Sequence, residues 1–134
     1  MIVTGACHCG QIAFEAEIGE GDVAVCHCAD CQKQSGSVFR ANVSAPAAHF
    51  RLLRGTPKTY IKTADSGARR AHAFCPDCGA PIYATDPVGP KAYSLRIGTL
   101  AQRYDLKPPK RQIWCDSAQP WALLDSGERH AKQP

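Results

Sequence analysis

Eight cysteines in 134 residues, grouped as CxC, CxCxxC, CxxC and a singleton, constrain this chain more than any other feature. They fall at Cys7 and Cys9, at Cys26, Cys28 and Cys31, at Cys75 and Cys78, and at Cys115. Pairs this close in sequence are too close to staple distant parts of a fold as disulfides, and a reducing cytosol would keep them as thiols. We therefore read them first as metal ligands, with disulfide and redox CxxC uses as the alternatives; no thioredoxin-like βαβ pattern surrounds Cys28 and Cys31 to favour the redox use.

The residue after each group divides the sulfurs further. Cys9 and Cys78 are each followed by glycine, Gly10 and Gly79, whereas Cys31 is followed by Gln32. A glycine there can take a positive φ, turning the chain so that backbone N–H groups point at thiolates. Two arms with that ending read as halves of one closed site. Cys7, Cys9, Cys75 and Cys78 are thus expected to hold a structural Zn2+ that clips the N-terminal strand to the middle of the chain and contributes to folding. Cys26, Cys28 and Cys31 then remain as three thiolates with an open position, the arrangement of a catalytic and labile Zn2+. Soft sulfur ligands suit an incoming thiol as the fourth ligand. The alternative is a second closed site completed by Cys115 or a histidine. Cys115 reads as a small buried residue in a strand, and His8 and His27, each in the middle of an extended CxC, should point away from the metal.

The rest of the chain reads as mainly β. Ile12, Phe14, Ala16 and Ile18 share one parity, as do Tyr93, Leu95 and Ile97, and further strands are expected in SVFRANVS, HFRLLRG, KTYIKT, RAHAF, PIYAT and RQIWCD. Eleven glycines and ten prolines leave room for only a turn or two of helix, after Cys31 and around LAQRYD. We expect short antiparallel strands in one domain over 1–126 and a frayed polar tail over 127–134.

The formal charge of +4 is mild and interspersed, which argues against nucleic acid as a partner and is compatible with a small anionic substrate. No apolar run is long enough to span a membrane and the N-terminus lacks signal-peptide character, so a soluble, cytoplasmic protein without a membrane partner is expected. Lys33, Arg40, Arg69 and Arg70 are the candidate cations for an anionic substrate. Gln32, Ser35 and Ser37 could orient it or cap the turn after Cys31, and Trp114 and Trp121 could wall a pocket or fill the core.

Four blocks, GACHCG, CHCADCQKQSGS, DSGARRAHAFCPDCGAPIY and RIGTLAQRYDLKPPKRQIWCDSAQPW, resemble in order the glutathione-dependent formaldehyde-activating enzymes, also called the centromere protein V family. The resemblance implies a β-tent fold, the four-cysteine structural zinc and a catalytic zinc on Cys26, Cys28 and Cys31. It further implies condensation of a small thiol such as glutathione with an aldehyde such as formaldehyde, formally a carbon–sulfur lyase reaction in reverse. This chain has Gln112 where the family often has histidine, and Cys115 where an apolar residue is usual. The rival expectation is a non-catalytic zinc module that binds a protein or nucleic-acid partner.

Overall fold

A computed structural model describes all 134 residues. The strands are β1 (Ile2–Ala6), β2 (Ala13–Glu17), β3 (Val23–Cys26), β4 (Arg40–Pro46), β5 (Phe50–Arg54), β6 (Lys58–Thr63), β7 (Arg69–Phe74), β8 (Pro81–Thr85), β9 (Ala92–Arg96), β10 (Arg111–Ile113) and β11 (Glu128–Arg129). The one α-helix, α1, covers Ala29–Ser35. The strands form a three-stranded sheet, β1-β2-β5, and an eight-stranded sheet ordered β11-β10-β3-β4-β9-β8-β7-β6.

The expected alternation is what packs these sheets together. Ile12, Phe14, Ala16 and Ile18 are all buried and join Val3, Val23, Val43, Ala45, Ile82, Leu95 and Leu100 in one core. Phe50 of β5 stacks on Tyr93 of β9 at 4.0 Å between centroids, with Phe14 at 5.6 Å and Tyr83 at 5.3 Å, so an aromatic cluster joins the two sheets. Gly5 lies directly against the Phe14 ring, where a Cβ would collide.

Period-2 alternation also fixes the other face of the large sheet. In β4, Ala41, Val43 and Ala45 have the core parity, which sends Arg40, Asn42 and Ser44 to the opposite side; in β7, Ala71 and Ala73 send Arg70, His72 and Phe74 there. Cross-strand partners share a face. The pairs Cys26 with Arg40, Asn42 with Arg96, Ser94 with Ala84, Ala84 with His72, and His72 with Tyr60 therefore put a sulfur and several cations on one side of the sheet. Helix α1 lies beside β4, and Lys62 of the edge strand β6 reaches its Asp30 at 2.8 Å.

Several expectations need correction. The sheet is not wholly antiparallel: β10 runs parallel to both β3 and β11. RQIWCD is a strand only as far as Ile113, because Trp114 adopts a left-handed conformation with φ 57° and Cys115–Ser117 form a 3-10 turn. Cys115 is accordingly half-buried in that turn rather than in a strand, its Sγ 3.5 Å from the Gln112 carbonyl. The 127–134 segment is polar but not frayed. Glu128–Arg129 pair with β10, and His130, Ala131 and Lys132 accept backbone hydrogen bonds from Cys115, Asp116 and Trp114. Trp121 is 76% exposed, neither core nor pocket wall. Strand β3 was absent from the expected set because its four residues, VAVC, run straight into the cysteine motif and offer no full period of alternation.

Candidate functional site

The two cysteine arms that end in glycine each close back onto their first cysteine, through a turn of three residues in one and four in the other. Gly10 N–H donates to the Cys7 carbonyl at 3.1 Å and Gly79 N–H to the Cys75 carbonyl at 2.9 Å; Cys7 N–H closes onto Ile12 O and Cys75 N–H onto Ala80 O, both at 3.0 Å. The glycines sit at φ 80° and 77°, the left-handed region their place in the sequence calls for. Backbone donors do aim at sulfur: Ile12 N–H reaches Cys7 Sγ at 3.2 Å and Cys78 N–H reaches Cys75 Sγ at 3.5 Å.

The arms bring Cys7, Cys9, Cys75 and Cys78 Sγ atoms within 4.8 Å of one another, and the Cys7–Cys9 and Cys9–Cys75 sulfur separations are 3.6 and 3.7 Å. A tetrahedron with metal–sulfur bonds of 2.3 Å has edges of about 3.8 Å, whereas a disulfide would need about 2 Å. The set fits a tetrahedral metal ion such as zinc. Its members differ without one: backbone donors from Cys9 and Ala80 hold the Cys78 thiol down to about 6, while Cys9 is pushed up to about 12, the Gln11 N–H being outweighed by Cys7 and the other thiols.

Cys26, Cys28 and Cys31 make a second set, also within 4.8 Å, and no histidine, carboxylate or further cysteine joins it. Cys115 does not close it. Cys26 ends β3, Cys28 caps α1, accepting the Cys31 N–H at 3.3 Å, and Cys31 lies within the first turn. Gln32 is thus helical where Gly10 and Gly79 turn, which is why this arm lacks the glycine. Sharing with the Cys26 and Cys31 thiols holds Cys28 down to about 2, with the charge of Lys62 assisting. Cys26 is pushed far up by the neighbouring Cys28 and Cys31, and Cys31 is raised because Cys28 and burial outweigh donation from Cys26. A divalent metal binding here displaces the protons retained on these sulfurs.

His27 points away from the sulfurs and is fully buried, its Nε2 3.0 Å from Gln112 Oε1 and its ring edge-on to Phe39 at 5.5 Å. His8 is exposed. Gln32 Nε2 donates to His27 O at 2.8 Å and Ser117 O at 3.0 Å, so it ties α1 to the 3-10 turn after β10. Ser35 Oγ donates to Phe39 O and accepts from Ser37 N–H, both at 3.3 Å, which settles that corner of the helix end. These residues build the turn.

Of the candidate cations, Arg40 stands beside the three sulfurs, facing Cys26 across β3 and β4 and lowering Cys31 through its charge. Lys33 and Arg69 are exposed, and Arg70 pairs with Asp86 at 3.0 Å. Arg96, His72 and Lys62 had no signal as single residues; only strand register brings them to this face. Arg40 and Arg96 are each 8% exposed, and their guanidinium nitrogens meet at one atom, His72 Nδ1, at 3.3 and 3.1 Å. They line a cavity of about 380 Å³ with Gln34, Tyr60, Phe74 and Pro81.

A model of the glutathione-dependent formaldehyde-activating enzymes matches residues 2–117. The chain belongs to this family. A crystal structure of a Rhodobacter sphaeroides protein, a structural-genomics target, has the same fold, with a TM-score of 0.60 at 20% identity over 95% of this chain and 98% of that one. The mainly β architecture and the family agree with the expectation drawn from the four sequence blocks, and the two cysteine sets could each hold a metal ion. No helix is long and apolar enough to cross a membrane.

Proposed function

We propose that this protein is a zinc-dependent carbon–sulfur lyase-like enzyme that joins a small thiol such as glutathione to an aldehyde such as formaldehyde, as an S-(hydroxymethyl)glutathione synthase does. The observation that carries the reading is the contrast between the two sulfur sets: one complete at four, the other ending at three. In this reading Cys7, Cys9, Cys75 and Cys78 hold a structural zinc, and Cys26, Cys28 and Cys31 hold a catalytic, labile one. Zinc bound to three thiolates supplies a fourth position where a thiol is held deprotonated at neutral pH, a role that its reduced Lewis acidity favours over polarising a carbonyl.

The chain's own residues prepare that position. Cys28 is the sulfur most easily ionised, and Lys62, held by Asp30, sets a positive charge beside it. Arg40 and Arg96 add two more beside Cys26 and Cys31, so negative charge gathering on sulfur is favoured. The thiol proton leaves to solvent, the sulfur lone pair forms the bond to the carbonyl carbon, and the carbonyl oxygen takes a proton to become the hydroxyl. A thiol substrate and reduced cysteines suit a cytoplasmic setting.

Metal counting tests this. Purified protein should hold up to two zinc ions, one removed first by a mild chelator and perturbed by added glutathione. One tight, thiol-insensitive zinc, or two equally inert ones, overturns the proposal.

A further inference from the structure

The two arginines beside the three sulfurs pose a charge problem. Each is more than nine-tenths buried, and neither has a carboxylate partner, because the acids on this side of the molecule are taken: Asp30 by Lys62 and Asp86 by Arg70. Their partners are neutral acceptors. Arg40 donates to Gln34 Oε1 at 2.8 Å, Arg96 to Asn42 Oδ1 at 2.6 Å, and both to His72 Nδ1. Burying guanidinium groups without a carboxylate partner is costly, so the arrangement is poised for a negative partner.

Further donors stand here without partners. An Nδ1 that accepts from two guanidiniums carries no proton, so the His72 proton is on Nε2; this buried N–H has no partner, and neither does Arg96 Nε. Gln34, having given its oxygen to Arg40, offers its amide nitrogen. The two guanidiniums, His72 and Gln34 line the cavity together with Phe74, Pro81 and the exposed Tyr60, and no carboxylate does. Planar guanidiniums converging from β4 and β9 suit a planar, two-oxygen anion. Because Arg40 is the cross-strand partner of Cys26, an anion held here lies one strand from the sulfur cluster.

We propose that Arg40, Arg96 and His72 form a carboxylate subsite, so that the thiol this enzyme accepts is one whose carbon skeleton ends in a carboxylate. This rests on the thiol reading of the three-sulfur site, deepening it by assigning the residues that select the substrate. The thiolates of Cys26 and Cys31 compensate the arginines in part, yet no cysteine lines the cavity into which Arg96 and His72 face.

The test separates the carboxylate from the sulfur. S-methylglutathione keeps both carboxylates but has no thiol to give, and its diethyl ester has neither. With zinc-loaded wild-type protein, titration calorimetry should show the acid binding at least tenfold tighter than the ester, and Arg96→Gln should remove that preference. Equal binding of acid and ester, no saturable binding of the acid, or a preference that survives in both Arg96→Gln and Arg40→Gln overturns the subsite. Equal binding of acid and ester on wild type overturns the subsite even if a variant fails to fold. Cobalt-substituted protein with 2-mercaptoethanol, a thiol without a carboxylate, reports separately on the metal. A spectral change there with equal acid and ester binding sinks the subsite alone. An Arg96-dependent preference with a cobalt spectrum indifferent to thiols upholds the subsite and sinks the thiol reading.

Discussion

Gln112 makes His27 Nε2 a donor. The Gln112 amide nitrogen donates to Leu124 O at 2.8 Å and Ser126 O at 3.1 Å, which leaves Oε1 to face Leu124 N–H and His27 Nε2, both at 3.0 Å. An oxygen cannot donate, so His27 must carry a proton on Nε2 and donate it to Gln112, from its place between Cys26 and Cys28. All four hydrogen bonds of this amide are made, and the residue is fully buried.

Replacing Gln112 by leucine should therefore cost more than its shape suggests. The substitution strips a partner from His27 Nε2 and Leu124 N–H and withdraws a donor from two carbonyls, at about 1–3 kcal/mol for each buried group left unpaired. We expect Gln112→Leu to lose about 3 kcal/mol or more in urea unfolding of the metal-loaded protein. A loss below about 1 kcal/mol would show that the amide network contributes little.

The two sulfur sets should respond differently to loss of one ligand. Cys78 belongs to the set whose arms follow β1 and β7, so a metal held there would close a loop of most of the sheet. Cys28 belongs to a set confined to six residues, the end of β3 and the start of α1. Cys28→Ala should fold with one metal fewer, whereas Cys78→Ala should fail to fold, because a structural zinc is worth on the order of 10 kcal/mol of folding free energy. Circular dichroism and metal content decide it, and equal unfolding of both variants would contradict the assignment.

His72 supplies a pH signature. Burial first, and then the charges of Arg96 and Arg40, hold its pKa down to about 4 from the usual 6.5. Between those values the unfolded chain binds a proton that the folded chain refuses, so stability falls as pH drops through the window and is unaffected above it. His72→Gln keeps an acceptor for the guanidiniums but does not titrate. Wild type should thus lose more stability than His72→Gln between pH 7 and pH 5 in metal-loaded denaturation curves; equal losses would place the proton elsewhere.

How much of this was legible from the sequence depends on whether the signal was local. The partition of seven sulfurs followed from Gly10, Gly79 and Gln32, three neighbours in the chain, and the core parity of β2 followed from four alternating residues. Arg96 and His72 gave no such signal. Each is an ordinary polar residue in a short strand, and only the pairing of β4 with β9, and of β9 through β8 with β7, brings them together. The parallel seat of β10 was hidden for the same reason: its three residues contain no mark of which strand they join. His27 fell between, since the extended CxC fixed its direction while its burial depended on Gln112, 85 residues away.

The glycine argument itself can be measured at Gly79. A Cβ added there meets nothing within 4 Å, so the cost of a substitution comes from the backbone at φ 77° and not from crowding. Alanine in the left-handed region costs about 1–2 kcal/mol, offset by about 0.4–1 kcal/mol because alanine also restricts the unfolded chain. Gly79→Ala should therefore destabilise the metal-loaded protein by about 1 kcal/mol and weaken the four-cysteine metal correspondingly. Asparagine tolerates this conformation better than alanine does. Gly79→Asn should consequently lie closer to wild type in both thermal unfolding and chelator competition. If alanine and asparagine were equally harmless, the turn after Cys78 would not require its left-handed residue, and the inference from a glycine following a cysteine pair to a closed metal site would lose its physical basis.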